Sequence, residues 1–424
     1  MSHTFYKLGS TSYAGQALFA TEYVPSETTI GTFRSYLTAQ DSVLDASVKA
    51  HLKTLDFSDL PSLNEKLVLT LYLSIHHSSS ECCASHHEIA MDQLPSTIQN
   101  GVWTADDLGL SQLGPAIEAK RRVLERQWSS LASKVCTFEA WKWADSIVSS
   151  RCLGFAEVPL IHLRTMHNVE EILLEHYTSL EVSQMFDLPR RPNLVLVPVL
   201  DLCNHAGPHR NARWDLDPSG RPHLLSTRQI EPGEEITISY GDEKTNDELF
   251  FNYGFVVPDN PNWSITLRLS PPSDIEAEGE RLQYWKLVSQ EYGLSDHLTF
   301  KSGSHLNFEE ETAPVNKVMD LWCRKGRLGL TREDIAKLLL STSVHVLDCE
   351  LVVQIFSESG TECEVEEWNQ TVYRTLLAEL LAMLARLDGH LRSLAGSEIA
   401  RQLLHDERTG CLTVLQALDG VQSG

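Results

Sequence analysis

The stretch Glu231-Pro232-Gly233-Glu234-Glu235-Ile236-Thr237-Ile238-Ser239-Tyr240-Gly241 decides the fold of this chain, together with Asn246-Asp247-Glu248-Leu249-Phe250-Phe251-Asn252-Tyr253-Gly254-Phe255 just after it. Pro232-Gly233 is turn chemistry, and the β-branched run Ile236-Thr237-Ile238 that follows predicts a strand. The strand ends at Tyr240-Gly241. Leu224-Leu225 predicts another strand on the near side of the turn. Further back, Leu194-Val195-Leu196-Val197-Pro198-Val199-Leu200 is a β-branched apolar run that reads as a buried strand, although periodicity over so few residues also admits helix. Asp201-Leu202-Cys203-Asn204-His205 follows directly, which places Asp, Asn and His side chains at the rim of a core where a ligand can use them.

On either side the pattern changes. Residues 4–36 mix aromatic, β-branched, Gly and Pro residues in short pieces, as in short strands joined by turns. From residue 60 to about 153, Leu63, Leu67, Leu71 and Ile75, then Leu124, Trp128 and Leu131, then Trp141, Ala144 and Val148 recur at helical spacing. Residues 169–188 form another helix-like stretch, ended by Pro189-Arg190-Arg191-Pro192. Past Pro258-Asp259-Asn260-Pro261 comes a short strand-like piece at 263–269. Then Val365, Trp368, Val372, Leu376, Leu380, Leu384, Leu387, Leu391 and Leu394 advance by three or four residues. The expected fold class is α+β: a region of short strands at 1–261 with a helical insert at about 58–140, then an α-helical domain at 262–424.

Length supports two domains, since 424 residues exceed what one small core absorbs. Lys and Arg number 35 against 58 Asp and Glu, a formal charge of −23 that repels a phosphate backbone and attracts basic protein surfaces. A protein partner with a basic surface is expected, not nucleic acid. The 9 cysteines are scattered without repeated Cys-x-x-Cys spacing, as in reduced thiols of the cytosol or nucleus. No apolar run approaches the roughly 18 residues that cross a bilayer, so neither membrane insertion nor secretion is supported. His76-His77, Cys82-Cys83 and His86-His87 are adjacent pairs, whereas zinc ligands are usually separated by two to four residues, so no metal site is expected.

Taken in order, Asp-x-x-Asn-His at 201–205, Pro-Gly-Glu-x-Ile-x-Ile-x-Tyr-Gly at 232–241 and Asn-x-x-Leu-x-x-x-Tyr-Gly-Phe at 246–255 resemble the SET methyltransferase domain. The subgroup they resemble includes Rubisco large-subunit lysine methyltransferase and actin-histidine methyltransferase. That resemblance implies a mostly-β SET domain interrupted by a helical insert, followed by a helical substrate-binding-like domain. S-adenosyl-L-methionine is implied as cofactor, held by Asn204, His205, the N-terminal turn Gly15, Gln16 and Ala17, Arg151 and Tyr240. Tyr240 is implied as the catalytic tyrosine. Arg151, Asp201 and Tyr253 are implied at the acceptor channel.

These residue types suit methyl transfer from a sulfonium, which asks for alignment and a dry site more than for strong acid–base groups. Lysine on a non-histone protein is the implied acceptor, histidine the neighbouring alternative, and a SET-like interaction scaffold without turnover the reading from a different class. The chain departs from the family at Ala14-Gly15-Gln16-Ala17-Leu18: Ala17 replaces a second glycine and Ala14 an acidic residue. It is also longer at about 156–191, where a surface insertion is expected.

Overall fold

In the computed structural model the described residues are 5–12, 15–33, 36–58, 60, 62–78, 94–98, 100–104, 111–154, 185–188, 194–217, 221–268, 297–302, 362–394 and 397–422. Ala14, Cys82-Cys83, His86-His87, residues 169–184 and nearly all of the expected 156–191 insertion lie outside them.

The chain divides into two compact units. The first comprises Met1–Ala105, Ile117–Lys244 and Phe250–Gly254; the second comprises Asp106–Ala116, Thr245–Leu249 and Phe255–Gly424.

The first unit opens with a hairpin, β1 (Tyr6–Thr11) and β2 (Gly15–Ala20), whose register pairs Thr11 with Gly15. After β3 (Thr29–Thr32) and β4 (Leu37–Thr38), Thr38 starts helix α1 (Ala39–Leu44) with a reciprocal cap: its hydroxyl accepts from the Asp41 amide, and the Asp41 carboxylate accepts from the Thr38 amide. Helices α2 (Ala46–Leu52), α3 (Glu65–Ser78), α4 (Gly101–Thr104), α5 (Leu113–Gln127), which begins in the second unit and ends in the first, and α6 (Phe138–Arg151) follow. Leu67 and Leu71 of α3 share one apolar core with Trp141, Ala144 and Val148 of α6, as their helical spacing requires. Trp141 is wholly buried, and burying such a side chain contributes on the order of 3 kcal/mol. Leu63 is not helical as its spacing predicts; its backbone pairs with Met185 and Asp187 just ahead of α3.

The remaining strands are β5 (Cys152–Gly154), β6 (Leu194–Leu196), β7 (Asn204–His205), β8 (Ala212–Leu216), β9 (Pro222–Ser226) and β10 (Glu235–Ile238). They form three small sheets, ordered β1-β2-β10-β7, β3-β9-β8 and β4-β6-β5. Ile236 and Ile238 are buried with Leu18, Ile30, Val195 and Val197 in a second core. The run 194–200 is a strand only at its start. Pro198 has no N–H to donate to a ladder, and Val199 takes φ 76° and ψ −51°, a strained turn conformation for a β-branched residue. The chain then folds into a 3-10 turn at Leu200–Leu202 that buries Asp201.

In the second unit β11 (Ser264–Arg268) pairs antiparallel with β12 (His297–Lys301). The strand-like piece at 263–269 is therefore real, and β12 adds a strand to a region expected to be helical. Helix α7 (Asn246–Tyr253) begins in this unit and ends in the first. Two long helices, α8 (Glu362–Ser393) and α9 (Glu398–Gln422), pack on one another. Leu376, Leu380, Met383 and Leu387 of α8, and Ala400, Leu404, Glu407, Cys411, Val414 and Leu418 of α9, are buried at three- and four-residue spacing.

Candidate active site

The site grows from the parallel pairing of β7 with β10, in which Thr237 lies opposite Asn204 and Ile238 opposite His205. This register carries Tyr240 back over the segment 203–205. The Tyr240 amide donates to His205 Nδ1 at 3.0 Å, and its hydroxyl donates to the Cys203 carbonyl at 2.9 Å. One short segment thus holds Tyr240 by its backbone and by its tip. Its ring lies 5.2 Å from that of His205 and 4.6 Å from that of Tyr253, centroid to centroid. Burial pushes the Tyr240 phenol well above its ordinary value, against the opposing pull of Arg151. Tyr240 is a neutral phenol whose proton is committed to a carbonyl, not a phenolate base. Burial also lowers the His205 pKa, although Asp242 opposes it, and a neutral imidazole suits an Nδ1 that accepts a hydrogen bond.

Arg151 enters at the C-terminal end of α6. Its guanidinium donates to the Asp201 carbonyl at 3.1 Å and to Asp201 Oδ2 at 3.1 Å. Both side chains are largely buried, 11% and 1% exposed. Burial raises the Asp201 pKa, and the Arg151 charge and hydrogen bond pull it back. A buried pair of this kind costs desolvation and fixes geometry more than it stabilises.

Arg151, Asp201, Tyr240 and Tyr253 line one cavity of about 680 Å³, within the size range of small-molecule sites. Cys152 and Cys203 also line it, and burial raises both thiols far above the range of a reactive thiolate. Nucleophilic cysteine chemistry is not what this cavity is built for. Asn204 and His205 do not line it; they stand behind Tyr240, with Asn204 Nδ2 donating to Glu235 Oε1 at 2.6 Å. Gly15, Gln16 and Ala17 lie on β2, one strand further out in the same sheet, across β10 from Asn204 and His205. Gly15 has φ 75°, with open space where a side chain would stand, as a turn approached closely by a ligand requires. The Ala17 methyl is wholly buried, so replacing the second glycine adds bulk to the core and none to the exposed face. Sequence reasoning missed Lys66, Arg210, Arg213, Trp214, Asp242, Lys244 and Asn252 of the lining. Their charged and polar types in stretches without motif spacing give no local signal.

A family model described as the SET domain matches residues 15–241. The chain belongs to the SET-domain family. Among curated SET relatives, SET domain-containing protein 8 of Schizosaccharomyces pombe is 31% identical over 164 residues, 37% of this chain and 30% of that protein. The Rubisco large-subunit N-methyltransferase of Nicotiana tabacum is 31% identical over 113 residues, 24% of this chain and 22% of that protein. The actin-histidine N-methyltransferase of Danio rerio is 22% identical over 200 residues, 46% of this chain and 29% of that protein. The chain therefore spans less than a third of the length of each of these relatives. A solved structure described as the SET domain of LSMT bound to lysine and AdoHcy superimposes with a TM-score of 0.59 at 16% identity, covering 100% of this chain and 88% of that one. That likeness establishes the SET fold in its α+β form, strands in small sheets with helices.

Proposed function

We propose that this chain is an S-adenosylmethionine-dependent protein N-methyltransferase acting on a lysine ε-amine of a non-histone protein, with Tyr240 as its catalytic tyrosine. The observation that carries the reading is the double fastening of Tyr240 to Cys203 and His205, at a cavity shared with Tyr253 and the buried Arg151–Asp201 pair.

The residues present fit the cofactor. Gly15 offers a permissive, open turn, and β7 forms one end of its sheet, so the backbone of Asn204 and His205 faces away from β10 on one side. With Gln16, Ala17, Arg151 and Tyr240, these residues would hold S-adenosylmethionine, which supplies an activated methyl group on a sulfonium. Tyr240 presents an oxygen whose lone pairs accept weak C–H contacts, because its own proton is committed to Cys203. The Tyr240 and Tyr253 rings, tilted by 32° to one another, exclude water and disfavour a protonated amine beside them. Arg151 and Asp201 hold each other in place beside the acceptor, and a dedicated strong base is not needed.

Residues 262–424 are proposed as the substrate-binding-like domain, and residues 1–261 as the SET domain with its insert. Among the described residues no helix is long and apolar enough to cross a membrane, and Cys136, Cys152, Cys203 and Cys411 are free; the cytosol or nucleus is the proposed compartment. The match to an actin-histidine enzyme over 46% of this chain favours histidine as the second acceptor reading.

The test is labelling with tritiated S-adenosylmethionine on extracts lacking the gene product, followed by hydrolysis. Labelled methyl-lysine supports the proposal. Methyl-histidine transfers it to the second reading, and no protein label from active extract conditions leaves an interaction scaffold.

A further inference from the structure

The charge of the cavity runs opposite to that of the chain. The whole protein carries −23, yet the lining contains five cations, Lys66, Arg151, Arg210, Arg213 and Lys244, against two carboxylates, Asp201 and Asp242. Arg151 is matched to Asp201, and Arg210 to Asp242 at 2.6 Å. The acids that reach Arg213 and Lys66 stand outside the lining. Arg213 meets Glu27 at 3.6 Å and Asp215 at 3.3 Å, and Lys66 meets Asp145 at 3.3 Å. The Arg213 side chain is 46% exposed and that of Lys66 35%, with the Lys66 ammonium also donating to Ser149 Oγ at 2.6 Å, so an incoming group can reach both side chains.

Resting on the methyltransferase reading, we propose that the substrate segment beside the acceptor residue is acidic and that Lys66 and Arg213 select it. A basic surface elsewhere on the partner is drawn by the net charge at long range, whereas the residues flanking the acceptor meet the lining itself. An acidic flank is repelled by the rest of the surface, so the cavity is where it is accommodated. Exposed ion pairs are individually weak, and two of them together amount to a preference of roughly two- to thirtyfold. The effect falls as salt shortens the Debye length.

The test uses the full chain, S-adenosylmethionine and three synthetic lysine peptides of equal length, flanked by Asp and Glu, by Gln and Ser, or by Lys and Arg. The expected kcat/KM order is acidic, neutral, basic. The acidic-to-basic ratio should reach about fivefold, shrink in high salt and collapse in Arg213→Glu. As a ratio it is insensitive to a general loss of activity. Turnover with equal or basic-favouring ratios overturns the inference and leaves the methyltransferase reading standing. If no peptide is methylated, fluorescence anisotropy of the same labelled peptides decides. Acidic preference sensitive to Arg213→Glu supports the inference while removing the enzymatic reading; absence of preference overturns both. An oligothymidylate that displaces the acidic peptide at lower concentration than the peptide itself overturns it too, by assigning the cations to phosphate.

Discussion

Tyr240→Phe removes one oxygen from the best-fastened side chain of the site and leaves its ring. The ring contacts with His205 at 5.2 Å and Tyr253 at 4.6 Å survive, as does the backbone bond to His205 Nδ1. What is lost is the 2.9 Å bond to the Cys203 carbonyl. A neutral hydrogen bond contributes about 1 kcal/mol net, and a buried acceptor left without its donor costs about 1–3 kcal/mol. At roughly 2–4 °C per kcal/mol for a domain of this size, Tm should fall by about 2–12 °C. The rate effect has a separate source. Weak C–H contacts of about 0.5–1 kcal/mol each, together with loosened placement of the acceptor, should lower kcat by about 5- to 50-fold. Cofactor affinity should change by less than about threefold, since the Asn204, His205 and Gly15 backbone is untouched. Single-turnover methyl transfer, calorimetry and thermal denaturation on the same preparation separate the three effects. Unchanged kcat with a lowered Tm would refute the catalytic role and leave Tyr240 a core residue.

Replacing Arg151 by Met leaves the Asp201 carboxylate buried without its cation, so urea unfolding should show a loss of about 3–5 kcal/mol, and Arg151→Met with Asp201→Leu should cost less than the two single changes summed. Gly101→Ala would drive a methyl into the Phe250 carbonyl and ring, and should destabilise the first unit by about 1–3 kcal/mol in the same assay. In the second unit, burial pushes Asp247 up to about 6, with Asp406 and Glu248 adding to it against the Gln112 hydrogen bond. Burial also pushes Glu407 up to about 8, with Asp247 adding to it. Both groups bind protons more tightly folded than unfolded, so their contribution is complete below about pH 4 and is lost as pH rises through about 6 and then 8. Denaturant titrations should show this unit losing stability across that interval, by several kcal/mol, and Glu407→Gln flattening the slope.

The strand pairing that builds the site was legible where side-chain alternation and turn chemistry agree. Ile236 and Ile238 face the core as their spacing demands, and Pro232-Gly233 makes the turn before them. The polar cluster 201–205 lies beside Tyr240 as the motif order implied. What failed depends on neighbours remote in sequence. The apolar run 194–200 looks like one strand, but Pro198 and the φ of Val199 turn it inward, and only the tertiary need to bury Asp201 against Arg151 explains that turn. β12 reads His297-Leu298-Thr299-Phe300-Lys301, whose alternation over only five residues does not decide between strand and helix until β11 supplies the partner edge. The cationic lining was illegible for the same reason. Lys66, Arg213 and Lys244 sit on a helix, a strand and a loop separated by many residues, and each taken singly is an ordinary surface charge.

The most direct measurement is titration calorimetry of the full chain with S-adenosylmethionine, repeated with Tyr240→Phe. Saturable one-to-one binding with Kd below about 1 mM, retained in the variant while methyl transfer drops, is the expected result. Absence of both heat and thermal shift at millimolar ligand would mean that the turn at Gly15 and the backbone at Asn204 and His205 do not form a cofactor site.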